Sequence, residues 1–349
     1  MPGLSVHFVP YAWPSAECLF FGSGAPENLS AAPHRGLLAV PAVVAMMGAA
    51  LRACGRRHYD AVVGHWLVPG GLIARWVGEL SNLRSLVVGH SGGVHLLSSM
   101  PHMMGRGMAR RVTRGATTVS SDPLREQLVQ LTGREGIEVA PMGFQPSPLG
   151  DKRKSGRHGS LRLGFLGRLV PIKGLATVLD ALKRVRAEGR DVVLDVVGSG
   201  PRRKAWEALA GDGVRFLGAK YGEKKWVHLQ RWDALVMPSK IAASGRHEGL
   251  PVALLEGASV GAVPLVSGVP GVKKWLVRPT RQVIGDGDVQ GWCRALAWLD
   301  DLDRQGSKRL SDHTRRRVSE LAWPVYSRWW KQWIATAGGE STAPSSRIS

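Results

Sequence analysis

Glu248 and Glu256 flank the seven residues Gly249-Leu250-Pro251-Val252-Ala253-Leu254-Leu255. Pro251 suits the first turn of a helix, where its missing N–H costs nothing. The spacing therefore predicts a loop ending at Glu248, then a helix from near Pro251 with Glu256 on its second turn. Free N–H groups at such a start make an anion site. An anion site bracketed by two carboxylates suits a ligand with a phosphate at one end and hydroxyls at the other. Upstream, Arg168 and Lys173 share a turn bounded by Gly167 and Gly174. Two cations on one loop can clamp a diphosphate, the guanidinium by its fork and the ammonium as a point charge. Alone, this turn reads as a solvated basic loop; the carboxylate segment on the same sheet edge turns the balance to the ligand.

These side chains need a scaffold that brings several loops to one edge. From 161 onward, short apolar runs alternate with helical ones: strands over 161–166, 192–197, 214–218, 234–239 and 262–266, each handing over to a Gly-rich loop. That alternation predicts a parallel α/β sheet, whose ligands bind at the carboxyl ends of the strands. An earlier series, with strands over 60–66, 85–90, 116–120 and 137–143, predicts a second such domain. His65 and His90 end two of those strands. His65 is as readily a packing residue as a ligand, and His247 beside Glu248 reads as a loop-shaping residue. Ser5 to Val9 is a further strand candidate. Residues 146–160, rich in Pro, Ser, Gly and basic side chains, read as a linker. The expected organisation is an N-terminal domain over 1–145, a C-terminal domain over 161–322, a final helix over 323–337 packing back on the N-terminal domain, and a disordered tail over 338–349.

Composition sets further bounds. The 349 residues carry a formal net charge of +20. Residues 1–150 hold twelve arginines, no lysine and eight acids, whereas 151–349 hold thirty-five bases and nineteen acids. Such a field favours anionic partners. Cys18, Cys54 and Cys293 form no metal or disulfide pattern, which points to a reducing compartment. The apolar run from Leu37 to Leu51 is shorter than the roughly 20 residues a membrane span needs, so it predicts a buried or surface-packed helix. Arg106, Arg110 and Arg114 share one helix face that could rest on anionic lipid or simply face solvent. No nucleic-acid motif accompanies the charge, and no G-x-G-x-x-G follows a first strand, so nucleic-acid binding and dinucleotide oxidoreduction rank low.

The order Gly167-Arg168, Lys173-Gly174, Val197-Gly198-Ser199-Gly200-Pro201, Pro238-Ser239, Glu248-Gly249-Leu250-Pro251 and Leu255-Glu256 resembles the retaining glycosyltransferase family 4. In the first half, His65-Trp66-Leu67-Val68-Pro69-Gly70-Gly71, Gly89-His90-Ser91-Gly92-Gly93-Val94 and Val139-Ala140-Pro141-Met142-Gly143 are similar to that family's N-terminal signatures. The resemblance implies a GT-B fold, two Rossmann-like parallel α/β domains facing a central cleft. Arg168 and Lys173 would bind the diphosphate of a sugar nucleotide. Glu256 would bind the ribose. Glu248, with the backbone of Gly249, Leu250 and Pro251, would hold the donor sugar, with His90 on the N-terminal side. Residues 214–218 would help border the base pocket.

The implied activity is metal-independent, retaining transfer of a hexose from a nucleotide-diphosphate sugar to a cell-surface polysaccharide or lipid-linked acceptor. The donor is a substrate, and neither a separate cofactor nor a metal is expected. The implied setting is the cytoplasm, at the inner face of the membrane. Two departures stand out. The chain starts where the second or third strand of such a domain would fall, so the N-terminal domain is expected to lack its first strand-loop-helix unit. Gly93 stands where an Asp often follows the histidine signature. A non-catalytic glycosyltransferase-like subunit needing a partner is the alternative reading.

Overall fold

A computed structural model describes residues 4–20, 25–150, 159–243, 245 and 247–336. The chain divides into two compact units. Among the described residues, one comprises 4–118, 128–137 and 334–336, and the other 119–127 and 138–333. Residues 151–158 of the expected linker, and the tail 338–349, lie outside the described residues.

In the C-terminal series, five strands form one sheet in the order β7-β6-β5-β8-β9. They are β5 (Leu161–Leu166), β6 (Val192–Val197), β7 (Val214–Gly218), β8 (Ala234–Pro238) and β9 (Val263–Ser267). Every pairing is parallel. The strand order reverses beside β5, and that switch point is where an open α/β sheet leaves a crevice. Leu161, Leu163, Phe165, Leu194, Val196, Val236 and Leu265 bury their side chains together with Trp292 of a covering helix. The runs read as nearly continuous apolar stretches because helices cover both faces. At Gly164 an added Cβ would lie 1.8 Å from the Trp232 ring, so only glycine fits there. Trp232 Nε1 donates to Asp195 at 3.2 Å, and Arg215 pairs with the same carboxylate at 2.7 Å. Those bonds explain how an acid survives inside a strand.

The first series forms a four-stranded sheet in the order β1-β2-β3-β4. Its strands are β1 (Ala61–His65), β2 (Arg84–Gly89), β3 (Thr117–Val119) and β4 (Ile137–Val139). Beneath it Arg75 is only 4% exposed. Its guanidinium donates to the carbonyls of Val112 and Ala116 at 2.8 and 2.9 Å and to Ser85 Oγ and Thr117 Oγ1 at 2.9 and 3.1 Å. Burial is the main reason its pKa falls to about 10, with Arg134 adding to the fall.

One expectation needs correction, and another is met in one of its two forms, a helix packed at the surface and not buried. Ser5 to Val9 is not a strand; these residues pair with no sheet, and Val6 and Phe8 are exposed. The apolar run at 37–51 does form a helix, Ala39–Arg56, but only Ala42 of it is buried. Together with the short 3-10 stretch before it, the segment Pro33–Arg56 spans 24 residues and contains an 18-residue window of mean hydropathy 1.9, long and apolar enough by composition to cross a bilayer. Leu37, Val40 and Val44 are 66–80% exposed. No polar or charged residue interrupts the run from Leu37 to Leu51, so its apolar character carries no one-sided stripe that the core could claim.

Candidate donor-binding site

Four loops at the carboxyl edge of the five-stranded sheet assemble the site. After β5, the chain turns through Leu169 and Val170, both buried, into the one-turn helix Pro171–Lys173. Gly174 ends that turn at φ 56°, and a Cβ there would meet the Pro238 carbonyl at 2.0 Å. Glycine is therefore required twice over, by conformation and by the approach of β8. After β6, an added Cβ on Gly198 would lie 1.8 Å from the Gly167 carbonyl, and on Gly200 2.5 Å from that of Leu169. These glycines let the second loop close against the first. Lys173 lies back over Gly167, with Cε and Nζ 3.5 and 3.7 Å from where a Cβ would stand. Arg168 is exposed on the same loop.

Glu248 meets Lys173 here. Lys173 Nζ forms an ion pair with Glu248 Oε1, their side chains 15% and 19% exposed. Ser239, buried at the end of β8, donates from Oγ to Glu248 Oε2 at 2.5 Å. The backbone of Ser239 is itself held, since Ser267 Oγ at the end of β9 donates to its carbonyl at 3.0 Å. His247 Nδ1 lies 2.8 Å from the Glu248 carbonyl, a loop-shaping contact. Leu250 is buried, and Pro251 is the N-cap of the helix Val252–Ser259. Glu256 falls on the second turn of that helix, 8% exposed. Lys225, from the helix Gly222–Leu229 after β7, pairs with Glu256 Oε1 at 2.6 Å. The two carboxylates are thus each held by a lysine, an arrangement that keeps charge in a largely buried site.

Reasoning from the sequence missed Lys225 and gave Ser239 no role. Lys225 lies between Lys224 and Trp226 in a run of ordinary helical residues, and only the fold carries it to Glu256. The signal for Ser239 was present, as a small hydroxyl residue at a strand's carboxyl end. Two Asp-x-Asp pairs, Asp286/Asp288 and Asp301/Asp303, also escaped notice. Asp288 and Asp303 cap helices, accepting from Gly291 and Gly306 at 2.7 and 2.6 Å, and Asp286 accepts from the Ile241 N–H at 2.9 Å. Among the described residues, no group of three His, Cys, Asp or Glu is gathered as a metal site.

His90 belongs to the other unit, at the end of β2. Its Nε2 lies 3.3 Å from Nδ1 of His65, and the two rings stack at 5.6 Å. Burial, with His65 as the lesser cause, pushes the His90 pKa down to about 4; burial lowers His65 as well. Both rings are therefore neutral at neutral pH. Gly93 is buried, and a Cβ there would lie 3.0 Å from the Leu67 backbone nitrogen, a tight contact that a few tenths of an ångström of movement would relieve.

Two parallel α/β units, each with its loops at the strand ends, define the GT-B fold. Comparison with solved structures agrees. A sucrose-phosphate synthase from Thermosynechococcus elongatus superposes with a TM-score of 0.62 at 18% identity, over 86% of this chain and 79% of that one. Anabaena HepE, in a complex with UDP-glucose, gives 0.64 at 16% identity, over 85% and 82%. Residues 160–301 match the family model of glycosyl transferases group 1. Among curated relatives, the amylovoran biosynthesis glycosyltransferase AmsK of Erwinia amylovora is 31% identical over 47% of this chain and 42% of its own. A GDP-mannose-dependent phosphatidylinositol monomannoside mannosyltransferase of Mycobacterium tuberculosis is 30% identical over 52% and 50%. The matches span about half the length of these relatives.

Proposed function

We propose that the chain is a retaining, metal-independent glycosyltransferase of family 4. It would move a sugar from a nucleotide-diphosphate donor to a polysaccharide or lipid-linked acceptor of the cell surface. The observation that carries this reading is the pairing of both carboxylates with lysines, Lys173 with Glu248 and Lys225 with Glu256, inside the stretch that matches glycosyl transferases group 1. Breaking a glycosyl–phosphate bond leaves positive charge on the sugar and negative charge on the diphosphate. Lys173 and Arg168 would stabilise the leaving diphosphate. Glu248, braced by Ser239, would hold the donor sugar with the backbone of Gly249, Leu250 and Pro251, and Glu256 would accept from the ribose hydroxyls. His90, neutral, would offer a hydrogen bond to the sugar. Retention fits same-face attack, the leaving phosphate taking the acceptor proton.

The acceptor reading draws on the relatives. AmsK is named for amylovoran biosynthesis, and the mycobacterial enzyme for a phosphatidylinositol mannoside. An anionic membrane surface is the partner we propose for the exposed helix Ala39–Arg56. Between Glu27 and Asp60 the sequence has no acid, while Arg35, Arg52, Arg56 and Arg57 flank the apolar stretch. Arg106, Arg110 and Arg114 are exposed as well. Apolar surface beside cations suits anionic lipid, and the setting that fits this reading is the cytoplasmic face of the membrane.

The test is purified protein with a panel of sugar nucleotides, reading nucleotide affinity, donor hydrolysis and transfer. Absence of all three would overturn the enzyme reading. Flotation with phosphatidylglycerol-containing vesicles, but not neutral ones, is expected; equal recovery with both would refute the membrane partner.

A further inference from the structure

The end of β1 carries a feature that the donor site does not use. Trp66 follows His65 directly and has φ 70°, a left-handed conformation. A bulky aromatic residue there costs about 1–2 kcal/mol relative to the ordinary regions. The strain is held in place from both sides. The Trp66 N–H donates to the Val88 carbonyl at 2.9 Å, and its own carbonyl accepts from the Gly71 N–H at 2.7 Å. Below it the turn is packed closely, for a Cβ on Gly70 would lie 2.1 Å from the His65 carbonyl. The result is an indole lifted off the sheet and 46% exposed. Its benzo ring rests on Gly92, where a Cβ would stand 2.6 Å from Cζ3. Its centroid is 5.6 Å from that of His90, with the planes at 44°.

We propose that Trp66 is the stacking platform of a saccharide subsite, with His65 and His90 as its hydrogen-bonding edge. A pyranose has one face of C–H groups and a rim of hydroxyls. The C–H face, slightly positive, lies well on the negative face of an indole. The rim needs neutral partners that both donate and accept, which two neutral imidazoles are. The bond between the histidines uses one nitrogen of each ring, and the other nitrogen of each can meet a hydroxyl. The side chains named in these contacts carry no charge at neutral pH, so a neutral ring is favoured over a phosphate or a peptide. The position agrees too, because the carboxyl ends of parallel strands are where such sheets bind ligands. Packing does not account for the strained backbone, since the ring it presents is half in solvent.

The inference rests on the glycosyltransferase reading for its choice of saccharide. Saturation-transfer NMR with the methyl α-pyranosides of glucose, galactose and mannose tests it, alongside calorimetry with UDP and GDP. Wild-type protein is expected to saturate the ring C–H protons of at least one pyranoside. Trp66→Asn, whose side chain tolerates left-handed φ, is expected to weaken that binding at least tenfold without lowering the melting temperature. Trp66→Phe is expected to keep most of it, and both variants to bind the nucleotide as wild type does. A chain that binds a nucleotide but no pyranoside overturns the subsite and leaves the enzyme reading standing. Pyranoside binding without nucleotide binding does the reverse. Undiminished pyranoside binding by Trp66→Asn, or loss of stability in step with binding, would also refute the platform.

Discussion

Replacing Glu248 by glutamine separates two roles that one carboxylate combines. The side chain keeps its size and can still accept from Ser239, but the charge that holds Lys173 is gone. Both partners of that ion pair are less than a fifth exposed, so solvent only partly screens them. Exchanging a charge-assisted bond for a neutral one costs about 1 kcal/mol. In a unit of this size that lowers the melting temperature by about 2–4 °C. The effect on ligand runs the other way. A carboxylate about 6 Å from a phosphate repels it by about 3 kcal/mol at an effective dielectric of 20, and by under about 1 kcal/mol in bulk water. The site lies between these limits, and Lys173 is released to the phosphate as well. Bare UDP or GDP is therefore expected to bind about 5–10-fold tighter to Glu248→Gln, by titration calorimetry. Turnover of the sugar nucleotide is expected to fall about 100-fold, because the hydroxyl contacts of the donor sugar weaken as the bond breaks. Tighter nucleotide binding with lost turnover is the signature. Weaker nucleotide binding, or turnover within about threefold of wild type, would show that Glu248 does not stand between the phosphates and the sugar.

Other expectations follow from single contacts. Lys225→Met leaves Glu256 without its 2.6 Å partner; affinity for a ribonucleoside diphosphate should drop about tenfold, while that for its 2′,3′-dideoxy analogue stays nearly constant, and an equal loss for both would refute an orienting role. Arg75→Met strands the Val112 and Ala116 carbonyls beneath the first sheet, and urea unfolding should report a loss of about 3 kcal/mol or more. His90 is neutral in both folded and unfolded chains above about pH 6.5. Between there and its folded pKa of about 4 the unfolded chain takes up a proton that the folded chain refuses, so stability falls as pH falls through that window. The unfolding midpoint should drop between pH 7 and pH 4.5, and His90→Asn should remove the larger part of that drop; an unchanged slope would place the cause elsewhere.

Much of the fold was legible without coordinates. All strands but one fall within a residue or two of where alternating apolar runs and Gly-rich loops put them, because a buried parallel strand must be apolar throughout and must end in a turn; the exception is β4, expected over 137–143 and ending at Val139. Pro251 and the spacing of Glu248 and Glu256 likewise fixed the helix Val252–Ser259, a local matter of proline geometry and helical period. Ser5 to Val9 misled for the opposite reason. Alternation alone cannot supply a neighbouring strand to pair with. The apolar run at 37–51 left buried and surface-packed helices both open, because hydropathy measures what a segment prefers, not whether a core is there to receive it.

The amino-acid sequence determined which loops would carry the chemistry, since glycines at Gly174, Gly198 and Gly200 answer to backbone approaches that no other residue permits. Tertiary structure alone decided which charges meet. Lys173 and Glu248 are 75 positions apart, and Lys225 and Glu256 are 31 apart. Coulomb pairing falls with distance in space and takes no account of separation along the chain. The same holds for Trp66, an aromatic to which the sequence assigns no role, whose strained backbone and contact with His90 exist only once β1 and β2 lie side by side.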